Sequence, residues 1–222
     1  MTRFAYRRLP ALFVTVWLGL IGCPCGAMAG WINEIHYDNE GSDVGEFIEI
    51  VLEPGESIDD YSLEFYNGNG GGTYSGPTTV TLGDLVGGFS FFTFTGVSIQ
   101  NGSPDGVALL QTGSVVPGQF LSYEGIFTAT SGAAFGMMST DLGVLEGGST
   151  PIGFSLQLAG SGSGPIDFSW QSPAESTPGS LNPGQTLVPE PSSLALLSFG
   201  GGLIWLFARR RSSMVRNLEG AR

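Results

Sequence analysis

Four acidic residues near the start of the chain have the side chains best suited to bind a metal ion. Asp38, Glu40, Asp43 and Glu46 could supply oxygen atoms to one Ca²⁺, a hard cation that takes about six to eight oxygen ligands. Their spacing matches no calcium-loop motif. We therefore expect a turn of solvated acidic side chains here, and keep a Ca²⁺ site as the alternative.

The other candidates for chemistry are one histidine, two adjacent acids and two tryptophans. No Ser, Cys or second His is placed to form a dyad with His36, so we expect a partly exposed strand residue rather than a catalytic base. Asp59 and Asp60 have the residue type used by glycosidases, but adjacent side chains in a strand or turn point apart. Trp31 and Trp170 fit core or edge packing better than a sugar-stacking platform. The sequence therefore predicts no catalytic residue.

Charge is distributed very unevenly along the chain. Residues 30–188 contain 18 of the 20 Asp and Glu residues and none of the eight Lys and Arg residues, all of which are Arg. A segment with a formal charge near −18 repels phosphate backbones, which argues against nucleic acid as a partner. Because it has no Lys or Arg to pair with buried carboxylates, we expect its acids to be exposed, capped by backbone donors or metal-bound.

The same segment has the pattern of an all-β domain. Short apolar, aromatic or β-branched runs recur between Gly, Pro, Asn and Asp clusters, and no window has a helical period. Nine strands are predicted, at 31–37, 47–52, 61–66, 78–82, 89–95, 107–111, 119–123, 154–159 and 166–170. In the first of them Trp31, Ile35 and Tyr37 are expected to share one face, interrupted by Asn33. Nine short strands predict a β-sandwich over residues 30–171, and the prolines of 172–188 predict a spacer.

The beginning of the chain has the composition of a signal peptide over residues 1–29. Three arginines precede the apolar run 12–22, and Ala27 and Ala29 supply the small residues that a signal peptidase requires. Cleavage after Ala29 would remove both cysteines of the chain, leaving no thiol or disulfide.

A second interpretation of this segment involves Cys23. The sequence Leu-Ile-Gly-Cys at 20–23 resembles the lipobox of bacterial lipoproteins and would place a lipid on Cys23. Pro24, directly after the cysteine, and the complete Ala-x-Ala site downstream favour ordinary cleavage after Ala29.

The end of the chain predicts a membrane helix at 192–208. These 17 residues carry no charge and would form about 25 Å of helix, enough to cross a hydrocarbon core of about 30 Å with local thinning. Arg209, Arg210 and Arg211 follow as a stop signal. Because Lys and Arg prefer the cytoplasmic side, residues 212–222 are expected inside as a tail and the acidic domain outside.

Pro189, Glu190 and Pro191, an apolar helix and an arginine cluster stand in this order over residues 189–211. This arrangement resembles the PEP-CTERM sorting signal of Gram-negative bacteria. The resemblance implies that an exosortase-type transpeptidase recognises the Pro-Glu-Pro motif. The tail 212–222 is longer than such proteins usually carry.

The acidic domain has a resemblance of its own. Ile-Asn-Glu-Ile-His-Tyr-Asp-Asn at 32–39, Gly-Glu-Phe-Ile-Glu-Ile at 45–50 and Thr-Pro-Gly-Ser-Leu-Asn at 177–182 resemble segments of lamin-tail domains. The resemblance covers roughly 31–185 and implies an immunoglobulin-like β-sandwich. Such domains are accessory modules of many bacterial secreted proteins, so it implies little about activity.

Taken together, these patterns predict a non-catalytic protein of the cell surface or extracellular matrix of a Gram-negative bacterium. It would be exported and anchored in the inner membrane with its domain facing outward. A Ca²⁺-dependent module that binds extracellular polysaccharide or another polymer is the first alternative. A secreted hydrolase that uses carboxylates alone is the second.

Overall fold

The computed structural model describes residues 29–189, which fold into two β-sheets packed face to face. Two short 3-10 helices, Ile58–Asp60 and Pro165–Asp167, are the helical elements of this part of the chain. The twelve strands are β1 Trp31–His36, β2 Phe47–Leu52, β3 Tyr61–Asn67, β4 Gly72–Tyr74, β5 Thr79–Val86, β6 Phe89–Thr95, β7 Asp105–Gln111, β8 Ser114–Tyr123, β9 Thr140–Asp141, β10 Phe154–Gly162, β11 Phe168–Glu175 and β12 Gln185–Leu187.

The larger sheet has the strand order β11-β10-β1-β2-β6-β5, and β12 pairs in parallel with the end of β10. The smaller sheet has the order β4-β3-β7-β8-β9. Apart from the pairs that contain β9 or β12, all neighbours are antiparallel. The predicted all-β sandwich is confirmed.

Each of the nine predicted strands overlaps a strand of the structure, and 47–52 and 89–95 match β2 and β6 at both ends. The strands that the sequence pattern did not predict are β4, β9 and β12, which have two or three residues each. Runs this short contain too few positions for alternation to be detected, so they are formed by their neighbours in the sheet rather than by local sequence.

Apolar side chains are buried in three layers. The main core lies between the sheets and includes Ile35, Ile48 and Ile50 from one sheet with Phe65 and Leu109 from the other. A second cluster covers the outer face of the larger sheet. A third lies on the outer face of the smaller sheet, where the connection between β8 and β9 contributes Phe127, Ala129 and Ala134. Both sheets are therefore covered on parts of their outer faces as well.

The face assignment predicted for the first strand is wrong because β1 contains a bulge. The register between β1 and β2 shifts between Ile32 and Glu34, so that one extra residue reverses the alternation. Ile32, Ile35 and Tyr37 consequently point into the central core, whereas Trp31 lies in the cluster on the outer face.

The predicted spacer 172–188 is part of the folded domain rather than a linker, which corrects the boundary set at 171. β11 continues to Glu175 and β12 adds another strand to the larger sheet. Between them, residues 176–184, here called the strap, lie against the outer face of the larger sheet. The backbone of the strap approaches β5 closely, since a Cβ on Gly83 would lie 2.3 Å from the carbonyl oxygen of Gly179. Pro178 and Pro183 of the strap lack the N–H group needed for regular strand pairing, but they do not prevent packing.

The two ends of the described chain emerge at the same end of the sandwich. Trp31 begins β1, and Leu187 pairs with Gly162, which continues β10 past that point. Pro189 then lies beside the β5–β6 turn, 3.3 Å from a Cβ placed on Gly87. We call this the terminal end and the opposite one the loop end.

Within residues 29–189 the structure contains no helix with the length and apolar character needed to cross a membrane. The predicted helix 192–208 and the arginines after it lie outside the described residues, as does the predicted signal segment up to residue 28.

Candidate functional site

The loop end collects most of the acidic side chains that the sequence singled out. It is built where β1 and β6 end, where β2 and β7 begin, and from the connection between β9 and β10. Tyr37, directly after β1, and Tyr123 of β8 stack across the two sheets here, with ring centroids 3.8 Å apart. This contact joins the sheets directly beneath the loops that carry the acids.

His36 and Glu146 form a buried ion pair at this end. Nδ1 of His36 lies 3.0 Å from Oε1 of Glu146, and its Nε2 lies 3.1 Å from the carbonyl oxygen of Val44. Oε2 of Glu146 also accepts hydrogen bonds from the backbone N–H groups of Tyr37 at 2.6 Å and Asp38 at 3.1 Å. Because both ring nitrogens face acceptors, the geometry fits the doubly protonated imidazolium form.

The prediction that His36 is partly exposed is wrong, since 2% of its surface is accessible. Burial by itself lowers the pKa of His36, but the hydrogen bond and charge of Glu146 and the Val44 carbonyl outweigh it and raise the pKa above its ordinary value. His36 is thus the cation of a domain without Lys or Arg. It holds the β9–β10 connection onto β1 and has no nucleophile bonded to it.

The four candidate metal ligands are not gathered at one point. Asp38 and Asp43 are close neighbours: burial and the adjacent Asp43 carboxylate raise the pKa of Asp38. Glu46 accepts a hydrogen bond from the backbone of Ile99 at 3.0 Å, and burial raises the pKa of its carboxyl. Glu40 is exposed. Among residues 29–189 no three His, Cys, Asp or Glu side chains lie close enough together to hold a metal ion.

An open polar cleft of about 810 Å³ lies beside this acid pair. Its floor is fixed by Asp105, which is 2% exposed and accepts hydrogen bonds from the backbone N–H groups of Gly68 at 2.8 Å and Gly102 at 2.7 Å. The side chains lining the cleft are chiefly amides, hydroxyls and acids: Asp43, Asn67, Asn69, Ser98, Gln100, Asn101, Ser103 and Asp105. No aromatic side chain lines it. These side chains can form hydrogen bonds with a polar partner that is uncharged or cationic.

A second group of buried acids lies under the strap, on the outer face of the larger sheet. Glu34 and Glu49 face each other on β1 and β2 and are both fully buried. Glu34 accepts hydrogen bonds from the Ser155 hydroxyl at 2.5 Å and from the Thr177 backbone at 2.8 Å. Glu49 accepts them from Asn33 at 2.9 Å and from the Gly179 backbone at 2.5 Å. Neutral donors alone therefore surround both carboxyls.

Burial, opposed by the hydrogen bonds from Asn33 and Gly179 and reinforced by the charge of the neighbouring Glu34, raises the pKa of Glu49 to about 8. Burial likewise raises the pKa of Glu34. A pair of carboxyls with raised pKa values is typical of acid–base sites. Here, however, Thr177 and Gly179 of the strap cover both groups, and neither carboxyl is exposed to solvent. The pair instead fastens the strap to the sheet.

The remaining candidates occupy structural positions. Trp31 is fully buried against Phe89 and Phe168, with ring centroids 5.8 Å and 6.1 Å away. Trp170 is half-buried and packs against two of the apolar clusters. The interpretation of both as packing residues agrees with these contacts. Asp59 and Asp60 lie exposed in the first 3-10 helix, at the terminal end.

The sorting and cleavage residues fall at the limits of the described chain. Ala29 and Pro189 are its first and last residues. Glu190, Pro191 and Arg209 to Arg211, like Ala27, lie outside it.

Two groups with clear roles were not found by sequence reasoning. Glu146 stands in a Gly-rich segment 110 residues from His36, and nothing local marks it as a partner. Glu49 stands between Ile48 and Ile50 in a predicted strand, which is a signal of burial; Glu34 follows the polar Asn33 and carries a weaker signal. Compared with models of protein families, with curated proteins and with solved structures, the chain matches none.

Proposed function

We propose that this chain is an exported, non-catalytic protein of the cell surface or extracellular matrix of a Gram-negative bacterium. A signal peptidase removes residues 1–29, the helix 192–208 anchors the chain in the inner membrane, and an exosortase-type transpeptidase acts at Pro189 to Pro191. The domain between them is an immunoglobulin-like sandwich of the lamin-tail type. This proposal rests on the patterns at the two ends of the sequence.

The position of the two chain ends is the structural observation that supports this proposal. Ala29 and Pro189 lie at the terminal end, and the polar cleft lies at the loop end. A domain attached to a membrane through its terminal end therefore directs its cleft away from the bilayer. This arrangement suits display of the cleft, because the loops around it stay accessible when the opposite end is attached.

The non-catalytic part of the proposal is supported by the state of the acidic side chains. Glu34 and Glu49, the two acids that most resemble a catalytic pair, are covered by the strap. His36 has both nitrogens bonded to a carboxylate and a backbone carbonyl. The acids are thus used to hold segments of chain together, in agreement with the expectation that backbone donors would cap them.

Fractionation of the producing bacterium, with mass spectrometry of both chain ends, tests the proposal. The expected mature chain begins at Gly30 and is found in the membrane, or at the surface without residues beyond the Pro-Glu-Pro motif. Glu190→Ala should leave full-length protein in the membrane, whereas Glu175→Ala, an exposed acid of β11, should not alter processing. Recovery in the soluble fraction with the C-terminal peptide still attached would refute the anchor. Identical chain ends with and without the transpeptidase would refute its role.

The polar cleft favours one second function, binding of an extracellular polysaccharide or a similar polymer. Amides such as Gln100 and Asn101 can pair with sugar hydroxyl groups. Asn101→Ala with Ser103→Ala should then release the protein from isolated matrix polysaccharide, while Ser62→Ala, on the exposed side of β3, should not. Equal retention of the two variants would refute binding through this cleft.

A further inference from the structure

A partly buried hydrogen-bond network at the terminal end includes the backbone nitrogen of Gly30. This nitrogen donates a hydrogen bond to the Tyr61 hydroxyl at 3.0 Å, and the hydroxyl donates to Oε1 of Glu56 at 2.5 Å. Glu56 is itself fixed, since Oε1 accepts from Gln111 at 3.2 Å and Oε2 accepts from the backbone of Glu53 at 2.8 Å. One hydroxyl group therefore connects the first buried nitrogen of the domain with an immobilised carboxylate.

The position of Gly30 allows no side chain. A Cβ placed there would lie 2.5 Å from Cδ2 of Leu52 and 2.8 Å from the carbonyl oxygen of Val51. The backbone of Gly30 therefore packs directly against β2, with no room for a Cβ between them. Its location matters because the predicted signal peptidase site lies directly before it, after Ala29.

Cleavage after Ala29 changes the chemistry of this nitrogen. Before cleavage it belongs to a neutral amide with one N–H; afterwards it is a primary amine that is protonated at neutral pH. An ammonium group is stabilised by a hydroxyl acceptor and by a nearby carboxylate; here the Tyr61 hydroxyl is in place, and the Glu56 carboxylate lies one hydrogen bond beyond it. We propose that Tyr61 and Glu56 form a binding site for the α-ammonium group that signal peptidase creates at Gly30.

The charges around the site agree with this role. Glu53 and Glu56 are the carboxylates that act on Tyr61, and burial followed by the hydrogen bond to Glu56 raises the pKa of the Tyr61 hydroxyl. The cation of the described residues, His36, lies at the opposite end of β1. The mature amino terminus thus supplies the missing positive charge at the terminal end, so that removal of the signal peptide completes this part of the fold. The inference rests on the proposed export and cleavage.

The test uses the mature protein purified from the exporting host, with its first residue identified by mass spectrometry. Because the chain contains no Lys, the α-amine is its sole primary amine, and an amine-reactive ester reports on that group directly. The rate of acylation measured against pH gives the pKa of the amine. We expect a pKa about one unit above the ordinary range of about 7.7–8.0, which slows acylation about tenfold at pH 7.5.

Glu56→Gln should remove most of this shift, and unfolding in urea should abolish it. Glu40→Gln is the matched control, because it removes the same charge from an exposed site at the loop end. If both variants lower the pKa equally, the general acidity of the domain is responsible and the proposed site is refuted. An ordinary pKa in the folded wild-type chain refutes it as well, with export unaffected. A lipid on Cys23 refutes the site but not export, and a chain that retains residues 1–29 refutes both.

Discussion

The two buried acid groups of this domain are stabilised in opposite ways. Glu146 faces a cation, His36, and two backbone N–H groups. Glu34 and Glu49 face each other and are surrounded by neutral donors from side chains and the strap. In both cases a carboxyl fastens a distant segment of chain to the larger sheet. The difference teaches that a chain without Lys or Arg in its domain can bury acids either by pairing them with histidine or by surrounding them with neutral donors at raised pKa values.

The largest loss of stability is expected when the carboxylate that faces His36 is removed. Glu146→Ala leaves the Nδ1–H of His36 and two backbone N–H groups without their acceptor in a buried place. We expect the free energy of unfolding to fall by about 3–5 kcal/mol, as is usual when one partner of a buried ion pair is removed. Urea denaturation measures it. Glu40→Ala, at an exposed site, should stay within about 0.5 kcal/mol of the wild type. If Glu146→Ala also stays within about 0.5 kcal/mol of the wild type, His36 is not held as a cation.

The second prediction concerns Glu49, whose raised pKa of about 8 favours a protonated carboxyl at neutral pH. Its pKa is raised from 4.5 to about 8 on folding, so the folded chain keeps a proton that the unfolded chain has lost. The contribution of Glu49 to stability should therefore be complete below pH 4.5 and be lost as the pH rises to about 8, by up to about 1.4 kcal/mol per pH unit. Glu49→Gln, which resembles the protonated side chain, should remove this part of the decline.

The loss of stability with rising pH that remains in Glu49→Gln serves as the control, because other groups cause it. His36 has a pKa raised above 6.5, so its contribution is complete below pH 6.5 and is lost as the pH rises through its value in the folded state. Glu34 contributes a further decline from 4.5 upward. Melting temperatures measured from pH 4 to 9 separate these effects. An unchanged pH profile in Glu49→Gln would mean that Glu49 is already ionised in the folded protein.

The smallest effect is expected where acids of like charge are partly exposed. Asp43→Asn removes one charge of the Asp38–Asp43 pair while its amide oxygen can still accept the hydrogen bond from Asn101. We expect a gain of about 0.2–1 kcal/mol at low ionic strength that disappears in high salt, as is typical of exposed charges. Thermal melts in NaCl and in CaCl₂ of equal ionic strength should coincide. A saturable rise in melting temperature with millimolar Ca²⁺, lost in Asp43→Asn, would contradict this and support a metal site.

Much of the fold could be predicted because short apolar, aromatic or β-branched runs stand between clusters of turn residues. Runs such as 89–95 place apolar side chains on both faces of a strand, and β6 follows that run at both ends. The bulge in β1 could not be predicted, because one inserted residue is visible only in the register with β2. The strap was mistaken for a spacer for a related reason. Its prolines and glycines are typical of linkers, and its attachment depends on Glu34 and Glu49, which lie far away in the sequence.

The candidate site was predicted less completely than the fold. The acids around Asp38 were found because they are close together in the sequence, but their side chains separate into a pair, a backbone acceptor and an exposed residue. The role of His36 depends on Glu146, and sequence order does not show which residues meet after folding. Local patterns indicate which side chains are available, whereas long-range contacts decide what each of them does.

Because the strap and β12 are attached to the sheet, only a short segment links the folded domain to the proposed membrane helix. β12 ends at Leu187, and the predicted membrane helix begins at Ser192, so four residues separate them. Four extended residues span at most about 14 Å, and two of the four are prolines. A transpeptidase that cuts between Pro189 and Pro191 must therefore approach within a short distance of a folded surface that includes the β5–β6 turn. Steric access, as well as the motif, would then govern how fast each molecule leaves the membrane.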